Sequence, residues 1–573
     1  MEHSRPKISE YWFPALLVVF FVVVGTLPYL YGYWSEDPNS QYMGIVGRGA
    51  LHSIGYLMFA RQAQEGFNLF ENKLTPEPLP RLYFHPEWWL YGKAARWTGL
   101  SLAAMWHVHR AIAVAAQIFA LYYLIARCLR TTYQRRVALS IIVFGAGFGW
   151  VPWCLSELYV RLFPFLHATL MRWHLAAAAT QPAPFPLCRD TDGVTVFGYL
   201  IDKPHFILAG AFIVLTYALL LEGERTGLRR YFVLSGLCAL ANLLIRAFAI
   251  YEICAIYALY PVLLSFRERR FLWSRFSNYM LAGSMLIPAV IYYLFLIATR
   301  TLGDAKLEVQ VVSFFQYIVR YGLPFVLLFL YLQGPAHFRR MKPSSILLSL
   351  WILVAFVVAQ LHPILRNGEE AAFYSFSFVP AILIVETPLR RMYCAAVRGR
   401  FRRARVENRM TRGRFKLLAA SAFVALCMLS NVIVYGRMFT TLHAEPANYY
   451  IPDDLRAALK WLEGNTGRNE LVLACRITCP LIPYYAGNKT FTGHDLLTTN
   501  RYEKDALADR FFVRQDDVFK RDLVARYGVH YVVLGPHETR LNGIAPAEHL
   551  WLQPVFTQGT ASVFRVGEVP RER

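Results

Sequence analysis

Apolar runs of about 20 residues, the length a helix needs to cross roughly 30 Å of hydrocarbon, recur along this sequence from Tyr11 to Tyr435. A chain with that pattern has lipid as the solvent for much of its surface, and in lipid the backbone polar groups must be satisfied within a helix or a closed barrel. Runs of this length select helices. Spans are predicted near 11–33, 103–126, 137–155, 205–222, 231–246, 248–265, 277–299, 315–333, 345–361, 373–389 and 417–435, about eleven in all. Of the 573 residues 56% are hydrophobic and only 17% charged, too little charge to coat a soluble protein of this size. The first run is too long for a cleaved signal peptide and lacks a small-residue cleavage site, so it reads as a signal anchor.

The formal charge of +22 is informative through its location. Arg5 and Lys7, Arg127 to Arg136, Arg225 to Arg230, Arg267 to Arg275 and Arg339 to Lys342 stand in alternate connections, and 390–416 holds eleven basic residues and one acid, Glu407. All six lie on the side of the N-terminus, which the positive-inside rule makes cytoplasmic. Anionic lipid, not nucleic acid, is the expected partner of 390–416, which has few aromatic residues and borders a span. Tyr231 to Phe266 as one helix would run about 50 Å. Two short passes with a turn near Arg246 to Glu252 preserve the alternation and put two charged residues on the extracytoplasmic rim. Most cysteines fall in or beside spans and read as small apolar residues. Cys188, Cys475 and Cys479 fall outside, where an oxidising compartment permits a bridge.

Two extracytoplasmic connections are long, from Trp34 to about Leu102 and from 156 to 204, and both are rich in Pro and aromatic residues. Loops of this size are usually functional. Within the first, Leu57 to Phe67 reads as an amphipathic helix lying at the membrane interface. After the last span hydropathy falls, and strand-like and helix-like segments alternate from about 440 to 573, the pattern of a small α/β layer domain. The expected fold is therefore an α-helical polytopic membrane protein, 1–439 with its large first loop 34–102, carrying an extracytoplasmic α/β domain at 440–573.

Ionisable residues near the outer rim are the candidates for chemistry. Glu36 and Asp37 follow the first span, where a carboxylate can serve as general base on an acceptor hydroxyl or can simply be solvated. His52, Arg61, His85 and Glu87 share that loop, and His107, His109 and Arg110 stand at the outer end of the second span. His107-x-His109 is a two-ligand metal pattern without a third member. His205, Arg246, Glu252, His362, Arg366, Glu369 and Glu370 lie in or beside spans, where charge is costly and marks a ligand path or an internal pair. Arginines at this depth suit a lipid-linked phosphate, the other reading being that they snorkel to headgroups. In the tail, Gly493-His494-Asp495 follows a short strand, either as a ligand site or as a cap of the next segment. No phosphate loop, zincin, serine-hydrolase or dinucleotide motif is present. No metal or other cofactor is called for.

With these residues in view, Tyr56-Leu-Met-Phe-Ala-Arg-Gln-Ala-Gln-Glu-Gly66, Phe84-His-Pro-Glu-Trp-Trp-Leu-Tyr-Gly92 and His109-Arg110 resemble the bacterial pattern of the GT-C superfamily of membrane glycosyltransferases. Trp461-Leu-Glu-Gly, Tyr484-Tyr-Ala-Gly, Thr492-Gly-His-Asp495 and Tyr527-Gly-Val-His-Tyr-Val-Val-Leu-Gly-Pro536 look like the soluble domain of uncharacterised members. The resemblance implies a multi-pass enzyme of the bacterial plasma membrane that transfers a sugar from a polyprenyl-phosphate donor to a glycan, lipid or protein acceptor outside the cytoplasm. Asp37, Glu36 or His52 would act as the base, and Arg110, Arg246 and Arg366 would meet the donor phosphate. His85, His107, His109, His205 and Glu252 would line the substrate cavity. One departure stands out. Members usually carry an acidic residue about four positions before the Tyr that opens the interfacial helix, and here that register holds His52-Ser53. A shifted base, an imidazole base or loss of activity each accounts for it. Alternatives are an inactive relative that binds glycan or lipid, and a transporter of lipid-linked saccharide. For the transporter, the inverted repeats typical of such folds are not seen.

Overall fold

A computed structural model describes residues 7–46, 50–151, 195–302, 314–331, 341–361, 364, 372–386, 428–494, 496–513, 516–541 and 551–567. The first part of the chain carries α1 (Trp12–Trp34), β1 (Ser40–Tyr42), α2 (Ala50–Glu65), α3 (Pro86–Thr98), α4 (Leu102–Cys128) and α5 (Thr132–Phe144). Then follow α6 (Val196–Asp202), α7 (Pro204–Thr226), α8 (Arg229–Ile245), α9 (Ile250–Glu268), α10 (Trp273–Ser284), α11 (Ile287–Ala298), α12 (Phe314–Tyr331), α13 (Pro343–Gln360) and α14 (Phe373–Glu386). The chain divides into two compact units, one of Met1–Gly25, Arg110–Ala289 and Val309–Arg437, the other of Thr26–His109, Val290–Glu308 and Met438–Arg573.

The protein is a membrane protein: among the described residues six helices are long and apolar enough to cross a bilayer, Ile8–Trp34, Leu102–Cys128, Pro204–Thr226, Ala247–Glu268, Trp273–Ala298 and Pro343–Gln360. Tyr317–Leu328 and Phe373–Glu386 are shorter apolar helices. Each coincides with a predicted span. The predicted passes at 137–155 and 417–435 run partly over residues outside the described set. The break expected near Arg246 is present. There α8 ends and a single 3-10 turn, Ala247–Ala249, leads into α9. α8 lies along α7, where Ser235 Oγ donates to the Thr216 carbonyl at 2.8 Å and Asn242 Nδ2 to the Ala209 carbonyl at 2.7 Å.

Ion pairs in the first unit gather the basic connections at one end of the helices. Arg135 Nη1 lies 2.9 Å from Glu10 Oε2, Arg127 Nε 2.8 Å from Glu222 Oε2, Arg275 Nε 3.2 Å from Glu224 Oε2 and Lys342 Nζ 2.6 Å from Glu386 Oε1. The start of α1, the ends of α4, α7 and α14 and the starts of α10 and α13 therefore share a side. That is the alternation the arginine distribution predicts.

In the second unit the tail supplies β2 (Tyr450–Pro452), α15 (Asp453–Asn465), β3 (Leu471–Leu473), α16 (Leu481–Tyr485), β4 (Lys489–Thr490), α17 (Arg501–Val513), α18 (Asp517–Tyr527), β5 (Val529–Leu534), β6 (Leu552–Gln558) and β7 (Ala561–Val566). Five strands form a sheet in the order β4-β3-β5-β7-β6. β3 runs parallel to β4 and β5, and β7 antiparallel to β5 and β6. Phe511, Phe512, Leu523 and Val524 of α17 and α18 pack with Leu473 and Val532 in one core. Leu455, Leu459 and Leu462 of α15 join Val472, Val533 and Val563 in another.

That second core continues into the first loop, whose Ile54, Leu57, Met58 and Phe59 are fully enclosed. β1 pairs antiparallel with β2, and the Thr490 N–H donates to the Lys73 carbonyl at 2.9 Å, which ties the first loop to the edge strand β4. Arg61 bonds Glu463 at 2.5 Å and the Tyr484 carbonyl at 2.7 Å, and Lys489 Nζ lies 2.8 Å from Glu71 Oε1. The expectation of a membrane-surface helix at Leu57 to Phe67 needs correction. α2 is covered by α3 on one side, where a Cβ at Gly92 would overlap the Ala60 carbonyl, and its core residues pack with the tail on another. Its amphipathic pattern faces protein instead of lipid.

Candidate functional site

The acids after the first span are held by short local bonds. The Ser35 N–H closes α1 onto the Tyr31 carbonyl at 2.9 Å, and Glu36 Oε1 accepts from the Tyr42 N–H at 2.9 Å, which ties the turn to β1. The Asp453 N–H donates to the Asn39 carbonyl at 3.0 Å, and the Tyr450 hydroxyl stands 3.0 Å from Ser35 Oγ. Glu36 and Asp37 remain exposed on this frame. A carboxylate that is solvated and fixed at its backbone can take a proton from an approaching hydroxyl. His52 stands in the first turn of α2, and its side chain lies outside the described set.

His85 caps α3 and Pro86 opens it, while Gly99, at φ 72°, ends it in the left-handed conformation that glycine tolerates. This places Glu87 on the inner face, where its carboxylate meets α4: Oε1 is 3.0 Å from His109 Nε2, with both side chains largely buried. Trp88 and Tyr91 present ring edges to the same imidazole, at centroid distances of 6.4 and 5.6 Å. His107 turns instead to Tyr29, 4.7 Å away edge to face. The two histidines of His107-x-His109 thus have different partners. Among the described residues no three His, Cys, Asp or Glu side chains converge as a metal site. Glu87 stood in the sequence beside His85, and its pairing needed the packing of α3 on α4.

In the first unit Arg110 is buried, and its guanidinium passes against the α1 backbone where Gly25 has no side chain: a Cβ there would overlap Nη1, with Cζ at 3.5 Å and Ile201 Cα at 3.6 Å. The next residue, Asp202, is buried too. Burial pushes its carboxyl up to about 7, against the opposing pull of Lys203 and Arg110. Arg246, at the C-cap of α8, lies 3.7 Å over the Phe206 ring and donates to the Tyr374 hydroxyl at 3.3 Å, which donates to the Phe206 carbonyl at 2.6 Å. His205 packs beside Phe206, 4.7 Å between centroids. The segment from Ile201 to Phe206 therefore has Arg110 at one end and Arg246 at the other. Glu252 stands between α9 and α13, where it accepts from Trp351 Nε1 at 3.0 Å. His362, Arg366, Glu369 and Glu370 lie outside the described residues.

In the tail, His494 is buried, and its ring edge meets Tyr56 of α2 at 4.6 Å. Its Nδ1 accepts from the Leu496 N–H at 3.0 Å, so this imidazole joins loop to tail. Asp495 lies outside the described residues. Cys475 and Cys479 are buried free thiols.

No family model matches the chain, and no curated protein does. Among solved structures, the oligosaccharyltransferase of Archaeoglobus fulgidus tethered to an acceptor peptide matches over 91% of this chain and 69% of its own, at 13% identity and a TM-score of 0.52. The same organism's oligosaccharyltransferase AglB, in complex with an inhibitory peptide and a dolichol-phosphate, aligns with 92% of this chain and 70% of its own at 12% identity and a TM-score of 0.49. Arabinofuranosyltransferase AftD from Mycobacteria aligns with 96% of this chain and 40% of its own, at 13% identity and a TM-score of 0.43. At such identities the likeness is one of fold, and it rests on the first of the three. The chain has the GT-C fold.

Proposed function

We propose that the chain is an integral membrane glycosyltransferase of inverting type, taking a sugar from a polyprenyl-phosphate donor and passing it to an acceptor outside the cytoplasm. The observation that carries this reading is the pair of buried arginines, Arg110 and Arg246, at the two ends of the Ile201–Phe206 segment. Buried guanidinium groups at the end of an apolar helical bundle are costly unless an anion or an internal partner rewards them, and their forked donors suit a phosphate. Exposed Asp37 or Glu36 accepts the acceptor's hydroxyl proton, the acceptor oxygen attacks the anomeric carbon, and the sugar–phosphate C–O bond breaks. Polyprenyl phosphate leaves with the electron pair, its charge met by arginine. Arg366 belongs to the same proposed set, and His85, His107, His109, His205 and Glu252 to the cavity.

The site then faces the side opposite the arginine-rich connections, in a bacterial plasma membrane with the N-terminus cytoplasmic and the tail outside. His52-Ser53 in the family's acidic register favours a second reading, an inactive relative that binds glycan or lipid. Purified protein incubated with a panel of polyprenyl-phosphate sugars decides between them. Release of polyprenyl phosphate, lost in the triple variant Asp37→Asn, Glu36→Gln and His52→Ala, is expected. No consumption of any donor ends the enzyme reading.

A further inference from the structure

α6 is a short helix that ends on a buried acid. Thr195 Oγ1 accepts from the Gly198 N–H at 3.0 Å to start it, the Lys203 N–H closes it on the Tyr199 carbonyl at 3.1 Å, and Pro204 opens α7 directly afterwards. Every residue of α6 except Tyr199 is buried. Rings enclose it: Phe197 meets Phe21, Phe144 and Tyr435, and Tyr199 meets Phe206 and Phe373, at centroid distances of 4.5 to 6.5 Å. In this setting Asp202 is 6% exposed, and its Oδ1 is sealed without a hydrogen-bond donor among the described residues. A carboxylate at the C-terminal end of a helix also stands against the helix dipole. The fold of the segment does not call for an acid here, since an apolar residue would avoid the cost of burying an unsatisfied carboxyl.

The position gives Asp202 two cations for company. The charged groups that act on it are Lys203, next in the chain, and Arg110 of α4, while His205 of α7 lies against Phe206. Burial raises the Asp202 carboxyl to about 7 and the two cations pull it the other way, so near neutral pH the group can both hold a proton and release it. Asp202 stands two residues before the α7 span, whose other end carries Glu222 with Arg127 among the arginine-rich connections. It therefore sits at the opposite end of that span, the end where Arg246 covers the Phe206 ring.

We propose that Asp202 donates a proton to the departing phosphate, an inference that rests on the transferase reading above. In the donor the phosphate is a diester with one negative charge. When the anomeric C–O bond breaks, the oxygen that keeps the electron pair would give polyprenyl phosphate a second charge, in surroundings where charge is costly. The Asp202 O–H passes its proton to that oxygen as the bond breaks. Polyprenyl phosphate leaves with one charge, Asp202 is left as a carboxylate facing Arg110 and Lys203, and water returns its proton as the product departs. The acceptor's proton goes separately to the base on the Glu36–Asp37 turn. The two partners match chemically: a phosphate monoester takes up its second proton at about pH 6, close to where Asp202 releases one. An exposed aspartate loses its proton near pH 3.9, at about the ordinary value, and would have none to give.

The test compares the full chain with Asp202→Asn, which keeps the shape of the neutral acid without its acidic proton, and with Asp202→Glu, which keeps the acid. Single-turnover release of polyprenyl phosphate is followed with a donor, from a panel of polyprenyl-phosphate sugars, that the unsubstituted chain consumes. Its rate should fall as pH rises through about 7, because the acid must hold its proton to give it. Asp202→Asn should lose at least about 100-fold in rate with donor KM nearly kept and without that fall, and Asp202→Glu should recover part of the rate together with the fall. Three results overturn the proposal: Asp202→Asn turnover within about two-fold of the unsubstituted chain, a fall near neutral pH that survives in Asp202→Asn, or a level rate in the unsubstituted chain from about pH 6 to about 8.5. The last needs no variant to fold. Each of them, with turnover present, removes only the role of Asp202, whereas a chain that consumes no donor overturns the transferase reading and this inference with it.

Discussion

Gly25→Ala separates the stability of the helix from the position of Arg110. In a helix interior alanine is favoured over glycine by up to about 1 kcal/mol, so α1 itself should become more stable. The new methyl would, however, overlap Arg110 Nη1, and restoring ordinary contact requires the guanidinium to move by roughly 1 Å. The group in its way is the end of a flexible side chain, so the fold gives and the site moves. A displacement of about 1 Å at a group that meets the reacting phosphate costs on the order of 100-fold in rate, equivalent to about 2.7 kcal/mol of barrier. Gly436→Ala is the control, because a Cβ there meets nothing within 4 Å. The assay measures kcat/KM for release of polyprenyl phosphate alongside the thermal midpoint in the same detergent. The expected outcome is an unchanged or raised midpoint in both variants, with turnover lost only in Gly25→Ala. Turnover within about two-fold of the unsubstituted chain would refute the role given to Arg110.

Asn72 is fully buried, donating to the Leu302 and Leu497 carbonyls at 3.1 and 2.6 Å and accepting from the Leu74 N–H at 3.1 Å. Asn72→Leu strands these partners at about 1–3 kcal/mol each, and a loss under about 1 kcal/mol in thermal unfolding would mean that water reaches them. Burial lowers the Lys73 ammonium from its ordinary range to about 8, so the folded state holds that proton less tightly than the unfolded chain. The penalty of roughly 3 kcal/mol is complete below pH 8 and disappears as pH rises toward 10.5. From pH 7.5 to 9.5 the lysine's contribution should improve by about 2 kcal/mol, read as the difference in pH slope between the unsubstituted chain and Lys73→Met, and equal slopes would contradict it. Arg246→Lys keeps the charge but loses the planar fork and the stacking on Phe206, so donor KM should rise about ten-fold with kcat nearly kept. An unaltered KM would remove Arg246 from the donor site.

The sequence disclosed the elements whose cause is local. Spans appear where apolar runs reach bilayer length, and the break at Arg246 follows because one helix would be too long. The tail's sheet follows from alternating segments such as Leu471–Leu473 and Val529–Leu534. Contacts between distant parts of the chain were not legible. α2 has the pattern of a surface helix, and α3 together with Leu455, Leu481 and their neighbours, some 400 residues onward, makes it a core helix. Glu87 and His109 were both visible as ionisable groups, yet their 3.0 Å contact depends on the angle at which α3 meets α4. Gly25 in an apolar run reads as one more small residue, because sequence does not reveal that a guanidinium passes over it.

The His52-Ser53 departure has a physical setting in the structure. Past its first turn α2 offers little free polar chemistry: Arg61 is shared among Glu65, Glu463 and the Tyr484 carbonyl, and Gln62 exchanges two hydrogen bonds with the Glu71 backbone. Ser53 is buried, and Ile54 through Ala60 are almost wholly apolar and enclosed or half-buried. A carboxylate in the Ser53 position would be desolvated, and a buried carboxylate is a proton-bound one unless a cation or several donors hold it ionised. Glu36 and Asp37 are exposed on a turn fixed by β1 and β2, where Glu36 accepts the Tyr42 N–H and both carboxylates stay open to water. For the proposed transfer that turn therefore offers a carboxylate open to water, which the Ser53 position would not. Under that proposal the proton acceptor stands outside the helix that the tail has buried, and α2 serves as structure.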